Sequence, residues 1–207
     1  MLQILGRSNS INVRKVLWLC SELGLPYEQE LWGSGFKATQ APEFVALNPN
    51  ALVPVIRDGD VVLWESNTIC RYLAGKHGRA DLLPAEPVAR ARVEQWMDWM
   101  ATELNTSWRY AFLALVRQTP GYTDSSAIEA SIASWNRHMA MLDTQLQRTG
   151  AYAAGAGFTL ADIVLGLATH RWLSTPMPRA ELPAVMAYYE RLSERPAFMQ
   201  HGRNGVP

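Results

Sequence analysis

The sequence has little cysteine, no net charge and no long apolar run. Its two cysteines, Cys20 and Cys70, are too few for a disulfide scaffold or a structural zinc site, and its four histidines show no metal-ligand spacing. Nineteen basic residues balance nineteen acidic ones, so no overall field attracts nucleic acid or an anionic membrane. No stretch reaches the roughly 18 apolar residues of a membrane span, and the start MLQILGRSNS lacks the pattern of a signal peptide. These absences predict a soluble, cytoplasmic protein with no metal site and no nucleic-acid or membrane partner.

Apolar residues make up 48% of the 207 residues, and their spacing in the first third is that of mixed α and β structure. Short apolar or alternating runs predict strands, and spacings of three and four predict helices. The predicted strands are Leu2–Leu5, Tyr27–Leu31, Leu52–Ile56 and Val61–Leu63, and the predicted helices are Val13–Leu23 and Glu65–His77.

The rest of the chain has helical periodicity throughout. A segment with Pro84 and Pro87 and few apolar residues predicts a linker, which divides the chain into an α/β domain (1–79), a linker (80–87) and an all-helical domain (88–207). Apolar stripes predict a long helix from Val93 to Phe112, an antiparallel partner from Ile128 to Leu146, a central buried helix Leu160–Leu173 and a last helix Val185–Leu192.

The polar segment between the first strand and the first helix has two interpretations. Ser and Asn side chains cap helices by accepting hydrogen bonds from first-turn amides. The same helix end also favours an anion, so Ser10 could instead donate to a bound thiolate, whose pKa would fall in such surroundings. The local sequence alone leaves both interpretations open.

Two further segments combine a plain structural interpretation with a functional one. Pro54 opens a strand, and a cis bond before it would turn the main chain of Val53 outward, although only about 5–6% of X–Pro bonds are cis. Glu65 and Ser66 begin a helix, where they either stabilise its first turn or recognise the ammonium and carboxylate of an amino acid.

Thr159 and Asp162 form a capping-box pattern ahead of the apolar helix, and this predicts a structural role. Neither cysteine is favoured as a nucleophile, because Cys20 lies on an apolar helix face and Cys70 lies inside a helix without a nearby His.

These four segments, in this order and spacing, resemble the cytosolic glutathione transferase superfamily, especially the serine-type phi and theta classes and related bacterial enzymes. The resemblance extends from Leu2 to Phe198. It implies a thioredoxin-like N-terminal domain followed by a C-terminal helical bundle. It also implies a cis Val53–Pro54 bond, a homodimer, and reduced glutathione as cosubstrate without a tightly bound cofactor.

The resemblance assigns roles to individual residues. Ser10 would donate to the glutathione sulfur, with support from Asn12. Val53, beside Pro54, would pair with the cysteinyl backbone, and Glu65 with Ser66 would hold the γ-glutamyl end. The remaining expected contacts are Lys37 and Gln40 at the glycine end and, around the electrophile between the domains, Trp32, Trp108, Arg109 and Phe112.

The implied function is conjugation of the glutathione thiolate to small, mostly apolar electrophiles. The alternative is a non-catalytic module of the same fold that binds glutathione, other ligands or a partner. Leu52 stands where phi-like enzymes carry a Gln, so one side-chain contact to glutathione is missing. The lack of a cysteine at the Ser10 turn argues against a disulfide reductase.

Overall fold

The computed structural model describes all 207 residues. The first third contains four strands and three helices. They are β1 (Leu2–Leu5), α1 (Ile11–Leu23), β2 (Tyr27–Glu30), α2 (Pro42–Val45), β3 (Val55–Asp58), β4 (Val61–Trp64) and α3 (Ser66–Lys76).

The strands form one mixed sheet in the order β2-β1-β3-β4. Strand β1 pairs parallel with β2 and antiparallel with β3, and β3 pairs antiparallel with β4. Ile4 lies opposite Ile56 at the centre, and both side chains are fully buried. The predicted third strand begins too early, because the chain is irregular through Pro54 and strand pairing starts only at Val55. This sheet with its helices is the thioredoxin-like half of the fold that the resemblance implies.

The rest of the chain is helical. Its elements are α4 (Pro87–Trp99), a π-helical turn (Met100–Leu104), α5 (Asn105–Leu115), α6 (Ser125–Thr149), α7 (Leu160–Ser174), α8 (Pro183–Ser193) and α9 (Pro196–His201). The fold is therefore α/β followed by an all-α helical bundle, as the sequence predicts.

The predicted long helix from Val93 to Phe112 contains a change of helix type. Its buried residues Met100, Leu104, Trp108 and Phe112 recur at steps of four, which drift around an α-helix of 3.6 residues per turn. A π turn takes up more residues than an α turn, so it keeps this stripe facing the core. The stripe packs antiparallel against α6: the rings of Trp108 and Trp135 lie 6.0 Å apart, and Ser131 Oγ donates to the Ser107 carbonyl at 2.7 Å.

Helix α7 runs through the centre of the molecule, as its apolar sequence predicts. Thirteen consecutive residues, Leu160–Trp172, are buried. Gly166 is required for this packing, because a Cβ there would lie 2.7 Å from Leu192 of α8 and 3.0 Å from the Trp18 ring of α1. Helices from both halves of the chain therefore meet on α7 in a single hydrophobic core.

Two short helices, α2 and α9, are absent from the sequence-based prediction. The predicted helix Val185–Leu192 is not the last one: α9 follows it, and Pro196 is its first residue, where the missing amide leaves no hydrogen bond unmade. Phe198 of α9 packs on Trp18 with ring centroids 4.8 Å apart. The buried Arg14 side chain donates to three carbonyls of the C-terminal segment, those of His201, Gly202 and Val206, at 2.6 to 2.7 Å.

Candidate active site

A cavity of about 640 Å³ lies between the N-terminus of α1 and the inner face of α5. The sheet domain contributes Ser10 and Arg7, and the helical bundle contributes Trp108, Arg109 and Phe112. The structure thus brings together four residues that the sequence analysis assigns to the thiolate and electrophile sites, although they come from distant parts of the chain.

Ser10 occupies the N-cap position of α1 without capping it. Its backbone is extended (φ −86°, ψ 125°), and its side chain accepts no hydrogen bond from the first turn. The hydroxyl makes no other hydrogen bond within the chain, and the amides of Ile11, Asn12 and Val13 have no backbone partner. The positive end of a 13-residue helix and a free hydroxyl therefore meet at the wall of the cavity.

A second, smaller cavity of about 290 Å³ lies at the N-terminus of α3. Asn12, Glu65 and Ser66 line it, and Asn105 lines both cavities, which makes them neighbours. Glu65 is exposed and has φ 69°, a left-handed conformation that non-glycine residues rarely adopt. Ser66 is buried. The bend at Glu65 places its carboxylate next to the Ser66 hydroxyl at the N-terminus of α3.

Lys15 is the buried cation of this second cavity, whose other cation, Arg71, forms ion pairs with Glu94 and Asp98. It is 2% exposed, and its Nζ lies 3.3 Å from Asn67 Oδ1 and 3.5 Å from Ser66 Oγ, without a salt bridge. Burial lowers the pKa of its ammonium group to about 8. Asn67 in turn donates to the Met97 carbonyl at 2.9 Å, which ties this site to α4.

The Val53–Pro54 peptide bond is cis, the isomer that the resemblance implies. The Val53 amide and carbonyl make no backbone hydrogen bond within the chain. Asn48 shapes the preceding loop, since its Nδ2 donates to the Leu52 carbonyl at 2.7 Å and its Oδ1 accepts from the Asn50 amide at 3.0 Å. The Leu52 side chain is 65% exposed.

Besides Val53 and Pro54, three candidate residues line neither cavity: Trp32, Lys37 and Gln40. Trp32 does not line the electrophile cavity: it is 5% exposed, and its ring packs on Phe44 at 4.9 Å in a small separate core. We therefore leave it out of the electrophile pocket. Lys37 forms an ion pair with Glu30, and Gln40 is exposed without a side-chain hydrogen bond. Local spacing could not reveal that the chain around Trp32 folds back on the sheet.

The sequence analysis missed the basic residues of the site. Arg7, Arg117 and Arg171 line the large cavity, and Lys15 lines the smaller one. A signal was present for Arg171, because a charged residue within the apolar run of α7 needs a partner or a function.

Both cysteines lie in the hydrophobic core. Each is fully buried, and burial raises the pKa of each thiol to about 12. Neither contributes a thiolate at neutral pH.

Comparison with known proteins decides the family. The model of the glutathione S-transferase N-terminal domain matches residues 9–76, and that of the C-terminal domain matches residues 125–191. The protein belongs to the glutathione S-transferase family. The resemblance stated from the motifs is thereby confirmed, and so is the assignment of the chain as an enzyme of the transferase class.

Individual members of the glutathione S-transferase family are similar along almost the whole chain. Glutathione S-transferase GstB of Escherichia coli K12 is 39% identical over 199 residues, 95% of each chain. Glutathione S-transferase 3 of Zea mays is 33% identical over 207 residues, 96% of this chain and 92% of the relative. A theta class enzyme of Xanthomonas axonopodis pv. citri, solved with glutathione bound, superposes with a TM-score of 0.92 at 37% identity and covers 100% of this chain and 99% of its own.

None of the helices is both long and apolar enough to span a membrane.

Proposed function

We propose that this family member conjugates the thiolate of reduced glutathione to small electrophiles, with Ser10 as the group that stabilises the thiolate. The observation that carries the proposal is the uncommitted Ser10 hydroxyl beside the unpartnered amides of the α1 N-terminus. A hydroxyl donor and a helix dipole both favour the anionic form of a thiol whose free pKa is about 8.5. A larger thiolate fraction, held in place, speeds attack on carbon.

Glutathione would lie across both cavities. Its γ-glutamyl ammonium would pair with Glu65 and its carboxylate with Ser66, and Lys15 adds a cation that the sequence analysis did not include. The free amide and carbonyl of Val53, next to Pro54, would pair with the cysteinyl backbone as an added strand does. Asn12 lines the smaller cavity beside Glu65 and Ser66. Lys37 and Gln40 remain our candidates for the glycine end.

The electrophile would occupy the larger cavity against Trp108, Arg109 and Phe112. The expectation of mostly apolar electrophiles stays a prediction, and the arginines beside the aromatic rings favour electrophiles that also carry a polar or charged group. The proposal also includes the division into domains 1–79 and 88–207 with a linker at 80–87. It further includes a homodimer, a cytoplasmic location and the absence of a tightly bound cofactor.

A Ser10→Ala variant tests the role of the hydroxyl through the pH profile of kcat/KM with an aryl halide. We expect the apparent pKa of the bound thiol to rise by about 1 to 2 pH units toward its free value, with a smaller change in glutathione affinity. Ser8→Ala is the matched control, because Ser8 lies outside both cavities and its hydroxyl bonds to Gln29 at 3.2 Å. An unchanged profile in Ser10→Ala removes Ser10 from this role.

The same measurements separate catalysis from binding alone. An enzyme is retained on immobilised glutathione and turns over at least one electrophile of a panel. Retention without turnover of any member would favour the non-catalytic binding module.

A further inference from the structure

The large cavity is strongly basic. Four of its twelve lining residues are arginines, and none is Asp or Glu. They come from three regions of the chain: Arg7 follows β1, Arg109 and Arg117 lie in and just after α5, and Arg171 lies in α7. In a protein with no net charge, this is a concentrated positive field around one small volume.

Arg171 is the buried member of this cluster. It is 3% exposed, and its side chain makes no hydrogen bond and no salt bridge within the chain. Its guanidinium carbon lies 4.6 Å from the centroid of the Trp108 ring and 4.2 Å from that of Phe112, so two aromatic faces fix its position. Burial, followed by repulsion from Arg14 and Arg117, lowers its pKa to about 9, which leaves it charged at pH 7.

Two other arginines, the buried Arg14 and the partly buried Arg195, show how a guanidinium that serves structure is bound in this fold. Arg14 donates to three carbonyls, and Arg195 pairs with Glu22 through two bonds of 2.9 and 2.6 Å. Arg171 has neither arrangement, although an unpaired buried charge is unfavourable. The indole Nε1 of Trp108, in the same cavity, also lacks an acceptor. Both side chains are hydrogen-bond donors without an acceptor at the cavity.

We propose that the electrophile carries an anionic group, a carboxylate or a sulfonate, which binds Arg171 with Arg7, Arg109 and Arg117 around it. A guanidinium recognises such a group through paired, charge-assisted hydrogen bonds. This inference rests on the proposed function, because it names the class of electrophile for the same site. Glutathione's own γ-glutamyl carboxylate has a separate place, at Ser66 and Lys15 in the second cavity.

A matched pair of aryl chlorides tests the inference: 4-chloro-3,5-dinitrobenzoate and its methyl ester. In both, the glutathione sulfur forms a bond to the ring carbon that bears chlorine, and chloride leaves with the bonding electron pair. The proton of the thiol goes to solvent. The two probes differ in the charge of one substituent. Dividing each kcat/KM by the second-order rate constant of the same probe with glutathione in the absence of enzyme corrects for their unequal reactivity.

We expect the normalised kcat/KM of the carboxylate to exceed that of the ester by about 10- to 100-fold, the size of a charge-assisted hydrogen-bonded pair. Arg171→Met keeps an apolar stem against the aromatic rings and should reduce this ratio at least tenfold. Arg117→Met, at an exposed position, should reduce it less and provides the test if Arg171→Met does not fold. Arg137→Met, on the exposed face of α6 and outside the cavity, should leave the ratio as it is.

The outcomes separate this inference from the proposed function. Turnover of both probes with a ratio near one overturns the inference and leaves the glutathione transferase activity standing. An unchanged ratio with a raised KM for glutathione in Arg171→Met also overturns it, because the arginines would then serve a carboxylate of glutathione.

If neither probe is turned over, binding alone decides the inference, and the electrophile panel decides the proposed function. We then expect unreactive 3,5-dinitrobenzoate to quench tryptophan fluorescence at least tenfold more tightly than its methyl ester, with Trp108 at the cavity wall as a reporter. Equal affinities would refute the anionic site.

Discussion

Replacing Asp162 with Ala should destabilise the protein strongly without changing its chemistry. The buried carboxylate accepts hydrogen bonds from the Thr159 amide at 2.8 Å, the Thr159 hydroxyl at 3.0 Å, the Ala153 amide at 3.0 Å and the Tyr188 hydroxyl at 3.1 Å. In Asp162→Ala the two buried amides lose their acceptor, at about 1–3 kcal/mol each, while Tyr188 keeps the Asp162 carbonyl at 3.3 Å. We therefore expect a loss of about 4 kcal/mol in the free energy of unfolding, a fall of about 8–16 °C in Tm for a chain of this size.

The size of this effect depends on pH. Burial raises the pKa of Asp162 to about 6. At pH values between 3.8, the pKa of the carboxyl group in the unfolded chain, and about 6, the folded state binds a proton that the unfolded state does not. The stabilisation from this group is therefore complete below pH 3.8 and is lost as the pH rises through 6. The variant lacks this dependence, and the substitution should therefore be about 1 kcal/mol more destabilising at pH 5 than at pH 7.

Asp124→Ala is the matched control for denaturant and thermal unfolding. Asp124 caps α6 through the Ser126 amide at 2.9 Å, but it is exposed, so its loss should lower the free energy of unfolding much less than the loss of Asp162. Equal losses in both variants would refute the argument from buried, unsatisfied amides. A loss of turnover in Asp162→Ala with an unchanged Tm would refute the structural role itself.

Two further predictions concern buried ionisable groups. Because the pKa of Lys15 is lowered to about 8, the folded state loses its proton before the unfolded state does, and stability should rise with pH. The free energy of unfolding of the wild type should gain about 2 kcal/mol between pH 8 and 10 relative to Lys15→Met in urea titrations, and parallel curves would contradict this. Native Cys20 and Cys70 should resist a thiol-specific disulfide reagent at pH 7 and react as two thiols per chain in denaturant, whereas rapid labelling of the native protein would contradict their burial.

Local patterns of apolar and polar residues were sufficient to predict most helices and strands of the fold. The spacing of apolar residues predicts α1, α6 and α7, because each helix buries one face or, for α7, nearly all of its surface. The two short helices, α2 and α9, were missed because neither is long enough to show this spacing. Helix α2 has only four residues, too few for a periodic signal, and its one buried residue is Phe44.

The candidate site was only partly readable from sequence. Motifs indicated Ser10, Glu65 and Ser66, since each stands at the start of a helix where polar side chains are recognisable. The sequence could not separate a core from a pocket position for Trp32, because an aromatic residue suits both, and the structure places it in a small core with Phe44. Whether Ser10 caps its helix or faces a ligand could not be decided without the side-chain geometry.

The amino-acid sequence by itself determined the order of elements, the capping of α7 and the positions of the candidate glutathione-binding motifs, because these depend on neighbours along the chain. Only the tertiary structure decided that Arg7, Arg117 and Arg171 share one cavity without a carboxylate. The packing of α7 against α1 brings both halves of the chain into one core. Charges that are distant in sequence therefore line the same cavity, and their combined field is a property of the folded chain alone.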